Sequence, residues 1–276
     1  MKQGLLLLIL IGAGISAWSE PSHESGTAST GLSGQVVVYT AASLTQAFTD
    51  LGNDFTRRHP GTKVLFNFAG SQQLAQQLAL GAQADVFASA DAKQMQAAQK
   101  AGRIAAGAEH LFAHNRLIAI VSLRPSVPVS TLADLARPGL KIVIAAQAVP
   151  VGSYTRIFLD KAAQDPSYGP AYREGVLKNT VSLEENVRAV LTKVVLGDAD
   201  AGIVYSSDLT AGSASKVRSI AIPDALNTIA DYPIAPVSNS RNPAAAKAFI
   251  DLVLSPEGQR VLASYGFVPV TAPPSL

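Results

Sequence analysis

The chain has 276 residues, 48% of them hydrophobic and only 15% charged, enough apolar material for one large domain or two moderate lobes and too apolar for a disordered chain. Its formal charge of +2 comes without a basic block, which argues against a nucleic-acid partner. The absence of Cys removes disulfides, thiolate metal sites, a cysteine nucleophile and an acylated-cysteine anchor.

Met1-Lys2, an apolar run from Leu5 to Ile15 and small residues around Ala17 and Ser19 form the three-part pattern of a secretory signal peptide, the run being too short for a comfortable membrane span, with an uncleaved anchor as the alternative. Residues 1–19 are read as that peptide, with cleavage after Ala17 or Ser19, and the destination as the periplasm. Residues 20–34, rich in Ser, Gly, Thr and Pro, read as a flexible lead-in. The fold is expected to start at Gln35. Val36 to Tyr39 is a β-branched strand, and Leu44, Phe48, Leu51 and Phe55 then recur at helical spacing up to His59-Pro60-Gly61. The unit repeats with a strand over Lys63 to Phe68, a helix opening at Ser71, a buried strand at Asp85 to Ala88 and a helix near Lys93 to Ala101.

A second set follows: a strand from Arg116 to Val121, a short helix at Thr131 to Ala136, a strand over Lys141 to Ala145, a helix from Ser153 to Ala163, a strand near Asn179 to Ser182, a helix from Asn186 to Leu196 and a buried strand from Ala201 to Tyr205. Tyr232 to Val237 reads as an extended return, and Pro243 to Tyr265 as one long final helix. Alternating strands and helices predict an α/β fold of two lobes, each a mainly parallel sheet flanked by helices. Lobe 1 is expected over 35–116 and 238–276 and lobe 2 over 117–237, with crossings near Leu117 and Ile234 making a two-stranded hinge.

Ala42-Ser43-Leu44, Gly70-Ser71-Gln72, Pro150-Val151-Gly152 and Asn186-Val187-Arg188 each stand where a helix should begin. First-turn amides lack intrahelical partners and carry roughly half a positive charge per helix, so several such ends around one cavity can hold a dianion without Lys or Arg. Taken singly, a Ser in such a place is ordinarily an N-cap.

Five segments in order resemble the extracytoplasmic molybdate-binding proteins of ABC transporters, which have the type II periplasmic-binding-protein fold. They are Tyr39-Thr40-Ala41-Ala42-Ser43-Leu44, Ala84-Asp85-Val86-Phe87-Ala88-Ser89-Ala90-Asp91, Val149-Pro150-Val151-Gly152, Glu185-Asn186-Val187-Arg188 and Gly202-Ile203-Val204-Tyr205-Ser206-Ser207-Asp208. The resemblance runs from Val36 to Phe267. It implies an oxyanion, molybdate or tungstate, held by the hydroxyls and amides of Ser43 and Ser71, the amides of Val151 and Val187 and the phenol of Tyr205. It also implies delivery to a permease with its ATPase, a monomer, no cofactor and no free metal cation. Val151 stands where the family often has Ala, and Gly70 where some members have Ser, one auxiliary donor fewer.

The residues leave other readings. Tyr205 alone could be a core tyrosine with its hydroxyl at the surface. Asp85 and Asp91 form a carboxylate pair in sequence, though Asp91 sits where an N-cap belongs. His110 and His114 stand four apart beside Glu109, a metal spacing if helical, but Asn115-Arg116 suggests a loop running into a strand. Arg188 reads as a solvated or lobe-bridging charge near the cleft mouth. A serine-dependent hydrolase is the enzyme alternative, against which stand the missing Gly-x-Ser-x-Gly elbow and phosphate loop. A receptor for sulfate, phosphate or a small organic anion is the alternative on the same fold.

Overall fold

The computed structural model describes residues 31–270. The expected signal peptide, most of the lead-in and the last six residues of lobe 1 lie outside the described residues. The chain forms, in order, β1 (Gly34–Ala41), a 3-10 turn at Ala42–Leu44, α1 (Thr45–Arg58), β2 (Thr62–Ala69), α2 (Ser71–Ala79), β3 (Val86–Ala88), α3 (Ala92–Lys100), β4 (His110–Asn115), β5 (Leu117–Ser122), a 3-10 turn at Leu132–Ala136 and β6 (Ile142–Ala145). There follow α4 (Pro150–Gln164), α5 (Pro170–Lys178), β7 (Thr180–Glu184), α6 (Val187–Leu196), β8 (Ala201–Tyr205), a 3-10 turn at Ser206–Asp208, α7 (Ala211–Ala214), β9 (Val217–Ala221), β10 (Ala230–Pro236), α8 (Pro243–Leu254), α9 (Pro256–Ser264) and β11 (Val268–Pro269).

Two sheets organise these elements. The six-stranded sheet runs β11-β4-β10-β3-β1-β2 and the five-stranded one β7-β6-β8-β5-β9. In each, three strands are parallel: β3, β1 and β2 in the first, β7, β6 and β8 in the second. The remaining strands run antiparallel, so the parallel character expected of the lobes is confined to these two triplets. The chain passes between the sheets at Arg116, between β4 and β5, and again through residues 222–229. Ile234 lies beyond that second passage, paired with Ala88 in the six-stranded sheet. By sheet membership β10 therefore goes with lobe 1.

Burial explains the elements. Val36 and Val38 of β1 are fully buried, and α1 turns Phe48, Leu51 and Phe55 inward. Phe48 and Phe55 meet Phe66, Phe112 and Phe249 mostly at tilted or edge-on angles, joining α1 to β2, β4 and α8 in one aromatic core. The final helix is two helices rather than one. Pro256 has no N–H to continue α8, and Ser255 caps the new start, its Oγ accepting from the Gly258 amide at 3.1 Å. α4 begins at Pro150, three residues earlier than expected, with Pro in its first turn, where the missing N–H costs nothing. β4, α5 and β9 were not expected from periodicity; His-Leu-Phe-Ala-His-Asn mixes polar and apolar residues without the alternation of a half-exposed strand.

Candidate functional site

The six parallel strands all deliver their carboxyl ends to one place. A cavity between the sheets is lined by Ala41 to Ser43 beyond β1, Ala69 to Ser71 at the end of β2, Ala90 beyond β3, Val149 to Val151 beyond β6, Asn186 and Val187 beyond β7, and Tyr205 closing β8. Ligand sites of open α/β sheets lie at just these strand ends. All five residues singled out from the sequence, Ser43, Ser71, Val151, Val187 and Tyr205, share this lining. The space is small, with about 20 Å³ open to the centre of a water-sized sphere, against ~10–15 Å³ for one water. It suits a group of a few heavy atoms and is too tight for a sugar or peptide.

The five expected residues each carry a group able to donate. Ser71 is the first residue of α2, and its Oγ accepts from the Ala90 amide at 3.0 Å, leaving its own proton free. Ser43 Oγ lies 2.9 Å from the Tyr232 hydroxyl. Val151 and Val187 occupy the first turns of α4 and α6, where amides have no intrahelical acceptor. The Asn186 side chain caps α6 by accepting from Ala189 N at 3.0 Å, which fixes where that helix starts. The Tyr205 hydroxyl is buried with no hydrogen-bond partner among the described residues. Burial pushes its pKa well above the ordinary phenol value, so it keeps its proton and stands as a donor.

Among the described residues no Lys, Arg, Asp, Glu or His lines the cavity. The nearest ion pair stands behind it. Arg188 Nε is 3.6 Å from Asp208 Oδ1 and donates to Ala42 O at 3.3 Å, so this arginine bridges the two lobes. Asp208 is fully buried, and its Oδ2 accepts from the Tyr205 amide at 3.0 Å. Burial raises its pKa to about 6, with Arg188 and the Tyr205 amide opposing the shift.

The lobes are closed on each other. Gln72 Nε2 donates to Glu185 O at 2.9 Å, Gln73 Nε2 to Glu185 Oε2 at 3.0 Å and Gln94 Nε2 to Ala148 O at 3.3 Å, all across the cleft. A Cβ on Gly70 would lie 2.5 Å from Glu185 O and from the Gln72 side chain. The space a serine hydroxyl would need there is taken by the partner lobe. None of these closing residues, nor Tyr232, Asn115 or Asp208, was given such a role from the sequence, because Gln on a helix and Tyr in a strand carry no local signal of a distant partner.

The carboxylate and histidine readings resolve into structure. Asp85 accepts from Val37 N, Ser240 Oγ, Arg241 N and Asn242 N, tying β1 to the approach to α8. Asp91 caps α3, accepting from Gln94 N at 2.8 Å. His110 and His114 lie on strand β4, and His114 Nδ1 meets Asp231 Oδ1 at 2.7 Å. Among the described residues no three His, Asp or Glu side chains are grouped to hold a metal ion. Ser43 and Ser71 are partnered by Tyr232 and the Ala90 amide rather than by a His, so no nucleophile–base pair forms at either.

The model of the family described as "Bacterial extracellular solute-binding protein" matches residues 36–268. The chain belongs to that family. Its members bind solutes for transporters and are not enzymes, which sets aside the hydrolase alternative. A relative from Mycobacterium bovis named "Molybdate-binding protein ModA" is 38% identical over 267 residues, covering 97% of this solute-binding chain and 97% of its own. The periplasmic molybdate-binding protein of Azotobacter vinelandii superposes with a TM-score of 0.74 at 19% identity, covering 86% of this chain and 100% of that one. The sulfate-binding protein SubI of Mycobacterium tuberculosis reaches the same TM-score at 17% identity, covering 86% and 87%. These two likenesses carry the two-lobe fold and not the ligand. No helix among the described residues is long and apolar enough to cross a membrane.

Proposed function

We propose that this protein captures molybdate, and tungstate with similar affinity, outside the cytoplasm and presents it in the closed form to an ABC permease driven by a separate ATPase. One observation carries the reading: neutral donors from the ends of five strands surround a cavity that, among the described residues, has no Lys, Arg, Asp, Glu or His in its lining, and one of them, the Tyr205 hydroxyl, has no hydrogen-bond partner among those residues. A fully ionised tetrahedral oxyanion accepts at every oxygen and suits such a lining. Monohydrogen phosphate brings a proton that needs an acceptor, and leaving it unpaired costs about 1–3 kcal/mol. Similarity across 97% of the chain, at 38% identity, to a relative named for molybdate favours that ion over sulfate.

Ser43, Ser71 and Tyr205 would contribute hydroxyls, and Ser43, Ser71, Val151 and Val187 amides. The lobes would be the six-stranded sheet with its helices and the five-stranded sheet with its own, rotating about the two passages between them. Export through cleavage of residues 1–19 and action as a monomer complete the proposal. Titration calorimetry of the mature protein tests it. Molybdate and tungstate should bind alike, and sulfate and phosphate at least about a hundredfold more weakly, a gap of ~2.7 kcal/mol. Equal or tighter sulfate binding overturns the molybdate assignment.

A further inference from the structure

A chain of buried hydrogen bonds runs from the first inter-lobe passage to the cavity. Ser207, Asn115, Tyr232 and Ser43 are each no more than 3% exposed. Asn115 ends β4 immediately before the chain crosses between sheets, Ser207 follows β8 in the other lobe, and Tyr232 lies in β10. Four polar side chains so deeply buried need hydrogen-bond partners, and the Asn115 amide sets the proton direction between Tyr232 and Ser43.

The direction follows from Asn115. Its Oδ1 accepts from Arg116 N at 2.9 Å and from Ser206 Oγ at 3.1 Å. A flipped amide would set an NH₂ group against the Arg116 N–H, donor to donor. The Nδ2 atom therefore faces Ser207 Oγ at 2.7 Å and the Tyr232 hydroxyl at 3.3 Å. An amide nitrogen can only donate, so the Tyr232 oxygen accepts. The tyrosine's single proton then has Ser43 Oγ, 2.9 Å away, as its acceptor. The opposite choice, Ser43 donating to Tyr232, would leave a fully buried phenol proton with nothing to meet. Ser43 thus spends acceptor capacity on Tyr232 and keeps its own proton for the cavity that it lines.

We infer that Tyr232, oriented by Asn115, is a positioning residue that sets ligand specificity: it fixes the Ser43 hydroxyl as a donor toward the cavity and so biases the site against oxyanions that carry a proton. The inference rests on the oxyanion reading of the site and identifies what directs the Ser43 proton toward the cavity. Ser71 is set the same way by the Ala90 amide, a backbone group that substitution does not remove. Tyr232 is the side chain through which the bias can be changed.

Affinities for molybdate and for hydrogen phosphate in wild type, Tyr232→Phe, Ser43→Ala and the double variant test this. Tyr232→Phe should weaken molybdate by about threefold to tenfold while phosphate binding holds or tightens, because the Ser43 hydroxyl is then free to turn its proton away and face the anion with its lone pairs. In the Ser43→Ala background Tyr232→Phe should leave the molybdate-to-phosphate ratio unchanged, since its effect passes through Ser43. Equal weakening of both anions, or an undiminished effect without Ser43, overturns the inference. Neutron diffraction from deuterium-exchanged wild-type crystals reads the same point without a variant. Deuterium on the Tyr232 oxygen pointing at Ser43 Oγ supports it, and deuterium from Ser43 pointing at Tyr232 overturns it. A wild type that binds no tetrahedral oxyanion overturns the reading of the site, while the neutron map still decides the proton direction.

Discussion

Tyr205 keeps a buried hydroxyl that no atom among the described residues satisfies, and such a group penalises the empty protein. Tyr205→Phe should therefore leave unliganded stability unchanged or raise it by up to about 1 kcal/mol, while oxyanion affinity falls roughly ten- to hundredfold. Ser43→Ala and Ser71→Ala should lose comparable affinity and some stability too, because each also breaks a bond within the protein. Urea unfolding beside calorimetry separates the two patterns; a large stability loss in Tyr205→Phe would show that its hydroxyl has a partner after all. Arg188→Ala should change affinity less than any of the three. Asp208 gives a pH signature. Its carboxyl, held near 6 in the fold against ~3.9 in an unfolded chain, binds more protons folded than unfolded over that range. The sign follows: its contribution to stability is fully present below about 4 and lost as pH rises through about 6. Urea midpoints from pH 4 to 7.5 should fall for wild type relative to Asp208→Asn, and two parallel curves would refute the assignment.

Helix starts are the working parts, and each is set by something specific to its element. α4 begins at Pro150 and puts Gly152 in its first turn, pressed against the end of β6. A Cβ there would stand 2.0 Å from Ala146 O and 2.6 Å from Ala145 O. Helix propensity alone predicts that Gly152→Ala stabilises by up to about 1 kcal/mol. The backbone contact wins, because neither carbonyl is the end of a flexible side chain. Gly152→Ala should destabilise by about 1–3 kcal/mol and weaken anion binding by displacing the Val151 amide. Thermal unfolding checks the sign, and a stabilised variant would mean that α4 stands farther from β6. Patterning made this helix legible, but its first residue was not; the break at Ser255-Pro256 was missed for the related reason that apolar spacing continues across it.

Closure joins the lobes through contacts between side chains and opposing backbone. Gly70 lies at this seam with φ −62°, a conformation any residue can adopt, so Gly70→Ala is expected to leave the separated lobes unharmed. The added methyl meets Glu185 O only when the cleft shuts. Molybdate affinity should drop about tenfold or more with unfolding stability in the absence of ligand unchanged, a split that Gly152→Ala should not show. Solution scattering of ligand-free and molybdate-loaded wild type should record compaction by rotation of rigid lobes, and Gly70→Ala should compact less. Identical profiles in a wild type shown to start empty and to bind would argue against hinge closure.

Local patterning in the sequence determined the alternation of strands and helices, the apolar runs and the helix starts at Ser71 and Asn186, because these depend on residues within a turn or two of one another. The family motifs put Ser43, Ser71, Val151, Val187 and Tyr205 on a single list. Tertiary structure decided that their strands end at one cavity, that Gln72 reaches Glu185 across 113 positions of sequence, and that Tyr232 meets Ser43 across 189. Such meetings depend on sheet order and on which backbone groups are left unpaired once the sheets have formed. Neither property is carried by any short stretch of the chain, and so an unremarkable tyrosine in a return strand becomes a neighbour of the site only when the fold closes around it.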